Sequence, residues 1–209
     1  MYSEKSLNEY CKALSSKSPA PGGGSASALV GATGAALLGK VANFTVGKEK
    51  YKDVEKEMTR ILKSSEGLRE NFTRLCSEDA MAYKKLSGAF KLPKDDGTRK
   101  KKIQEALKEA TGVPFEICKA AHEAIKLALP VAEKGNVNLI TDAGIAGLML
   151  KCAFQSGLLN VEINLKSITD DEFIMNLRKV LEPMEKEVDA INEEVIREVE
   201  RQLKGERAT

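Results

Sequence analysis

Asp79 is the side chain whose type and position in this sequence most favour chemistry. It lies in a segment from Asp53 to about Phe90 where inward positions recur in alternating steps of four and three residues, the pattern of a helix in a bundle. Asp79 takes one of those positions, where an unpaired charge is costly. Either a partner such as a lysine or a helix N-terminus satisfies the carboxylate, or Asp79 is a desolvated general acid/base with a raised pKa.

A glycine-rich stretch, PGGGSASALVGATGAALLGKVANFTVG at 21–47, is the second candidate. A phosphate-binding loop needs GxxxxGK[ST] or GxGxxG after a strand, and neither pattern is present. A membrane span is disfavoured because Lys40 and Asn43 fall inside the only window of about 20 residues. We therefore expect a buried helix whose small residues allow close packing. Ser25 is expected to cap it, and free N–H groups at its start could bind an anion.

The remaining polar candidates are weaker. His122 is the sole histidine, and nothing in its spacing pairs it with a nucleophile, so a surface or structural role is favoured. Four asparagines near two predicted turns could hydrogen-bond a heterocycle or merely cap the turns: Asn136, Asn138, Asn160 and Asn164. The four cysteines have no metal-ligand spacing, which favours reduced thiols and no metal site.

Composition indicates the elements that must position these residues. The chain has 209 residues, 42% of them hydrophobic, 31% charged and none of them Trp, and no segment alternates like a strand. We expect one all-α domain over 1–209, an up-and-down bundle of about six to seven helices. Its last helix is expected over about 170–204, interrupted at Pro183. A net charge of +2 gives no argument for nucleic acid or a membrane, and the first residues do not resemble a signal peptide, so we expect a cytoplasmic protein.

Four separated motifs carry a family resemblance. The sequence reads PGGGSASALVGATGAALLGKVANFTVGKEKY, then EDAMAY, then LPK, then GNVNLITDAGIAGLMLKCAFQSGLLNVEINL. In this order the motifs resemble the cyclodeaminase domain of formiminotransferase-cyclodeaminase and its free-standing bacterial relatives, which include methenyltetrahydrofolate cyclohydrolases. The resemblance covers almost the whole chain.

The resemblance implies a helical homodimer with its folate site near the subunit interface. It implies a tetrahydrofolate derivative as substrate, with or without a polyglutamate tail, and a place in one-carbon metabolism and histidine degradation. The chemistry of such a substrate needs no metal and no further cofactor, and the near-neutral charge favours neither nucleic acid nor a membrane as partner. Asp79 in EDAMAY becomes the catalytic residue. The substrate-binding residues that the resemblance implies are Gly22, Gly23, Gly24, Ser25, Asn43, Asp142 and Asn164. We add Lys48 as a lysine for the glutamate tail and Asn136 from the turn amides.

Three functions follow as expectations. The first is cyclisation of 5-formiminotetrahydrofolate to 5,10-methenyltetrahydrofolate with release of ammonia. The second is hydrolysis of 5,10-methenyl- to 10-formyltetrahydrofolate. Both use one carbon centre and a single acid/base, so the sequence leaves them open. The third is a non-catalytic helical dimer or folate-binding module, which Asp79 argues against because a scaffold needs no carboxylate on its core face.

Overall fold

The computed structural model describes residues 5–205, and every regular element in that range is helical. The seven α-helices within the described range are α1 Leu7–Leu14, α2 Gly23–Asn43, α3 Glu55–Phe90, α4 Arg99–Ile125, α5 Ala128–Lys134, α6 Ile140–Leu165 and α7 Asp171–Leu203. Two 3-10 turns, Glu49–Val54 and Val137–Leu139, precede α3 and α6. The all-α prediction is confirmed.

Four long helices form the bundle that carries the site. α2 packs against α3 and α6, and α4 packs against the same two helices, so α2 and α4 lie at opposite corners. Gly31 of α2 meets Phe72 of α3, whereas Gly24 of α2 meets Asp79, which shows that α2 and α3 are antiparallel. α7 packs against α6 on the side that carries Gly144 and Gly147, and it also contacts α4 and α5.

The apolar positions of α3 face the core as their periodicity predicts. Met58, Ile61, Phe72 and Leu75 are buried on one face of the helix. Asp79 lies on that same face and is half-buried. Because α2 begins beside Asp79, the last turns of α3 continue about 16 Å beyond the start of α2. The start of α2 therefore lies at one end of the bundle, between helices that extend past it.

Small residues of α2 allow its neighbours to approach closely. A Cβ built on Gly31 lies 2.5–2.7 Å from three ring atoms of Phe72, whose side chain is fully buried.

We expect Gly31→Ala to destabilise the protein by about 1–3 kcal/mol, because a rigid ring in a packed core must move. Urea unfolding measures this. Gly67→Ala is the matched control, since a Cβ on Gly67 in α3 meets nothing within 4 Å; an equal effect of both changes would contradict the packing argument.

The expected interruption at Pro183 is wrong, because α7 is continuous from Asp171 to Leu203. A proline in a helix leaves the carbonyl of the residue four positions earlier without its donor. That residue is Lys179, and both it and Pro183 are exposed. Water can therefore satisfy the freed carbonyl.

Two helical segments, Gly23–Asn43 and Val137–Leu165, are long and apolar enough to cross a bilayer by length and composition alone. In the bundle, 56% of the most apolar stretch of the first segment and 44% of that of the second are buried. Buried core helices of soluble proteins meet the same criterion. Their apolar character is therefore weak evidence for a membrane.

Candidate active site

The N-terminus of α2 is capped by a side chain from another helix. Gly22 is the N-cap residue and provides no side-chain hydrogen bond, so the first N–H groups of α2 lack a local acceptor. Asp79 of α3 supplies one, because its Oδ2 accepts a hydrogen bond from the Ser25 N–H at 3.0 Å. The prediction that Ser25 caps α2 is wrong. Ser25 is the third residue of the helix, and its hydroxyl contacts Tyr10 and Cys76 instead.

Glycines at the start of α2 create the space for this contact. A Cβ built on Gly24 would come far closer to Oδ1 of Asp79 than the 3.0 Å that real Cβ atoms keep. A Cβ on Gly23 would lie 3.4 Å from Oδ1 of Asn160 on α6. Polar side chains from α3 and α6 can thus reach the backbone of α2 because its first residues have no side chains.

Burial and hydrogen bonding act in opposite directions on the Asp79 carboxyl. Burial raises its pKa, and the hydrogen bond from the Ser25 N–H lowers it by a smaller amount. The pKa therefore lies above the ordinary value for aspartate, and the carboxyl keeps its proton to a higher pH. Burial also raises the pKa of Tyr10 to about 12 and that of the Cys76 thiol. Both neighbours are neutral at neutral pH, so Asp79 is the group of this cluster that can exchange a proton.

A half-buried carboxyl with a raised pKa, facing the N–H groups of a helix start, is suited to general acid/base catalysis. Comparison with known proteins identifies the framework around it. A family model described as formiminotransferase-cyclodeaminase matches residues 6–183. The chain belongs to this family.

Relatives in the formiminotransferase-cyclodeaminase family carry two kinds of name. The chain is 42% identical to a methenyltetrahydrofolate cyclohydrolase from Methylorubrum extorquens, over 93% of this chain and 96% of that protein. It is 31% identical to formimidoyltransferase-cyclodeaminase from Rattus norvegicus over 81% of this chain, which spans only 32% of that longer protein. These are names of enzymes, and they place the family in folate one-carbon metabolism.

A solved structure also matches this family member over nearly its full length. It is formiminotetrahydrofolate cyclodeaminase from Thermotoga maritima, with a TM-score of 0.90 and 34% sequence identity. The match covers 97% of this chain and all of that one. The bundle described above is therefore the fold of a known cyclodeaminase.

The site residues predicted from the sequence fall into two groups in the structure. The first group surrounds the start of α2 and includes Asp79, the glycines of 22–24 and Ser25. Asn164 belongs to the same end of the bundle, because it lies one helical turn beyond Asn160 on the same face of α6. It is half-buried.

The second group lies at the opposite end of α2, about 30 Å away along a helix of 21 residues. Asn43 is the exposed last residue of α2. Lys48 follows in the next loop, with its Nζ 5.8 Å from the centre of the Phe44 ring. Within one subunit, neither residue reaches Asp79.

Two further members of the second group have partners at that far end. Asp142 forms an ion pair with Lys40 at 2.7 Å. Asn136 is buried, and its Nδ2 donates to the Phe44 carbonyl at 2.9 Å. These contacts join α2 to the start of α6 and hold the turn before it.

Sequence reasoning missed three side chains near Asp79. Cys76 and Tyr83 precede and follow Asp79 by three and four residues on α3, a spacing that places all three on one face. That spacing was a usable signal. Tyr10 carried no such signal, because only the folded chain brings α1 to the start of α2. Asn160 was named among four asparagines near predicted turns, but it was not predicted to lie at the start of α2.

His122 lies apart from this cluster. Its ring Nε2 is 2.6 Å from Oε2 of Glu187 on α7, and its side chain is buried. A structural role is consistent with that pairing. Among residues 5–205, no group of three His, Cys, Asp or Glu side chains is placed to hold a metal ion.

Proposed function

We propose that this protein catalyses acid/base chemistry at the one-carbon unit of tetrahydrofolate that bridges N5 and N10, with Asp79 as the acid/base. One observation carries the proposal: the half-buried Asp79 carboxyl is held against the start of α2 with a raised pKa. The names of its relatives support the choice of substrate. The chemistry itself calls for no metal or redox cofactor, so we expect the substrate alone to suffice.

The first candidate reaction is cyclisation of 5-formiminotetrahydrofolate. N10 attacks the formimino carbon on N5, and the new C–N10 bond gives a tetrahedral centre. Asp79 accepts the proton from N10 and passes a proton to the departing nitrogen. The C–N bond to that nitrogen then breaks and ammonia leaves, which produces the 5,10-methenyl bridge. Holding N5 and N10 together contributes by proximity, and the proton transfer contributes about 10²–10⁴-fold.

The second candidate is hydrolysis of 5,10-methenyltetrahydrofolate, and the 42% identity to a cyclohydrolase over nearly the full chain favours it. Water adds to the methenyl carbon while Asp79 takes one of its protons. Asp79 then gives that proton to N5 as the C–N5 bond breaks, the remaining hydroxyl proton passes to solvent as the C=O bond forms, and 10-formyltetrahydrofolate results. Both reactions need the same carboxyl at the same carbon.

For substrate binding, we assign the backbone of residues 22–25 and the side chain of Asn164 to positions around Asp79, and we add Asn160. The start of α2 presents N–H groups and the positive end of a helix dipole. The amide side chains of α6 supply donors and acceptors suited to a pterin ring.

The experiment uses the purified protein with each substrate separately. Methenyl absorbance and ammonia are followed over time. A gain of absorbance with ammonia from 5-formiminotetrahydrofolate establishes cyclisation, and loss of absorbance from 5,10-methenyltetrahydrofolate beyond the buffer rate establishes hydrolysis. No change with either substrate would overturn the proposal and leave a binding module.

We further propose a homodimer formed through the outer face of α6. Four large apolar side chains on this face are 44–73% exposed: Ile145, Leu148, Leu159 and Ile163. Cys152, also exposed, lies near the middle of the row. A two-fold axis near Cys152 and perpendicular to α6 would set the start of one α6 against the end of the other. The second group of one subunit then lies near Asp79 of its partner, so residues of both groups can contribute to one site.

Light scattering tests the dimer. We expect a mass twice that of one chain for the wild type, and a shift to the mass of one chain for Leu148→Glu combined with Leu159→Glu, because two buried charges oppose association. Glu substitution of exposed Met175 on α7 is the control. A wild type with the mass of a single chain would contradict the dimer. The expectations of a cytoplasmic protein without nucleic-acid or membrane partners remain part of the proposal.

A further inference from the structure

Three buried polar side chains form a hydrogen-bonded cluster behind Asp79. The Ser25 Oγ lies 3.1 Å from the Tyr10 hydroxyl and 3.0 Å from the Cys76 Sγ. Their exposed fractions are 0% for Ser25, 4% for Tyr10 and 5% for Cys76. The three residues come from α2, α1 and α3, so this cluster joins three helices at one point. The acid/base chemistry assigned to Asp79 leaves the cluster without a role.

Ser25 is the first residue of α2 with a side chain that can fix the start of the helix. Gly23 and Gly24 precede it, and glycine leaves the backbone free to adopt many conformations. The side chain of Ser25 is held by the cluster, whereas its backbone N–H binds Asp79 Oδ2. One residue thus connects the cluster to the carboxyl.

Tyr10 links α1 to this arrangement. It is the one buried residue of α1, whereas Leu7 and Leu14 are 71% and 37% exposed. The side chain that attaches α1 to the bundle is therefore also the one that holds Ser25. Cys76 lies one turn before Asp79 on α3, and its Sγ also contacts the Ser25 hydroxyl.

We propose that Tyr10 and Cys76 are positioning residues, which hold the Ser25 hydroxyl and thereby keep the Ser25 N–H against the Asp79 carboxyl. The inference rests on the proposed function, in which Asp79 is the acid/base. When the cluster is broken, the glycine-rich turn loses its anchor and the N–H moves away from Asp79. Since that hydrogen bond opposes the effect of burial, the proton on Asp79 then binds more tightly and the carboxyl is less well aimed.

The experiment compares Tyr10→Phe, Ser25→Ala and the double variant. Tyr10→Phe keeps the buried ring and removes only the hydroxyl. We expect kcat to fall about tenfold, because a misaimed group affects the chemical step. KM also rises, because the backbone of residues 22–25 is assigned to the substrate. The midpoint of the pH–rate profile moves to higher pH. The double variant is no worse than Ser25→Ala alone, because both changes break the same connection.

Two further variants distinguish positioning from general damage. Cys76→Ser keeps a hydrogen-bonding group and is expected to retain more activity than Cys76→Ala. Ser65→Ala is the matched control, since Ser65 is another buried serine, bonded to the Leu62 carbonyl on α3; it leaves the pH–rate profile unchanged. Additive effects of Tyr10→Phe and Ser25→Ala, or an unchanged profile in Tyr10→Phe, would overturn the inference.

A readout without substrate separates this inference from the proposed function. NMR titration of the Asp79 carboxyl carbon measures its pKa directly in the wild type and in Tyr10→Phe. We expect the pKa to be higher in the variant. An unchanged pKa overturns the positioning role even if the enzyme is active, whereas a raised pKa supports it even if neither folate is turned over.

Discussion

Replacing Asp79 with asparagine is expected to lower turnover by about 10²–10⁴-fold, the usual contribution of a positioned acid/base, while the fold is retained. Asparagine has nearly the shape of aspartate, and its side-chain oxygen can still accept the hydrogen bond from the Ser25 N–H. It cannot take up and release a proton at neutral pH. Steady-state rates with both folates measure the loss.

The same variant has a predicted effect on stability. The pKa of Asp79 is higher in the folded protein than in the unfolded chain. The Asp79 carboxyl therefore stabilises the fold fully at a pH below its pKa in the unfolded chain, and this stabilisation is lost as pH rises through its pKa in the folded protein. Asparagine does not ionise, so it avoids that loss. The free energy of unfolding of Asp79→Asn, relative to wild type, should therefore increase with pH across that range, as urea unfolding would show.

Glu78→Gln is the matched control for Asp79→Asn. Glu78 is the adjacent carboxylate in the chain, but it pairs with Arg74 one turn earlier on α3. We expect its rates to stay close to wild type. Near-full activity in Asp79→Asn, or an equal loss in Glu78→Gln, would contradict the assignment of Asp79.

Adding a single methyl group at Gly24 is expected to abolish most activity with little cost to the fold. The new Cβ would overlap Oδ1 of Asp79. A carboxyl at the end of a side chain can rotate away, so the helices need not separate. The carboxyl then sits about 1 Å or more from its working position, a displacement that can cost about 10²-fold in rate. Alanine also suits a helix better than glycine does.

Rates and thermal unfolding of Gly24→Ala are measured together. The expected result is a loss of kcat with an unfolding temperature near that of wild type. Gly67→Ala, in the open on α3, should keep its activity. If Gly24→Ala kept wild-type rates, the close approach of Asp79 to the start of α2 would have no role in catalysis. A large drop in the unfolding temperature would mean that α2 and α3 move apart, rather than that the Asp79 carboxyl rotates.

The sequence was sufficient to find the inward carboxylate and the slender helix. Asp79 could be found because burial along α3 repeats with the helical period, a local property. α2 could be recognised as a buried helix because its residues are small along one long run. Local patterns of this kind do not show which residue of α2 meets Asp79.

The errors come from contacts between residues distant in the chain. Ser25 looked like an N-cap because serine is a common one, but the acceptor comes from Asp79, 54 residues later. Similarly, nothing local separates Asn164 at the Asp79 end from Asn136 at the other. That division arises because α2 packs antiparallel to both α3 and α6, a feature of the folded bundle.

The most direct test of the central claim is the time course of methenyl absorbance with wild type and Asp79→Asn side by side on both folates. We expect wild type to change the absorbance with at least one substrate well above the buffer rate, and Asp79→Asn to be slower by about 10²-fold or more. Equal rates for the two proteins, or no change with wild type on either folate, would contradict it.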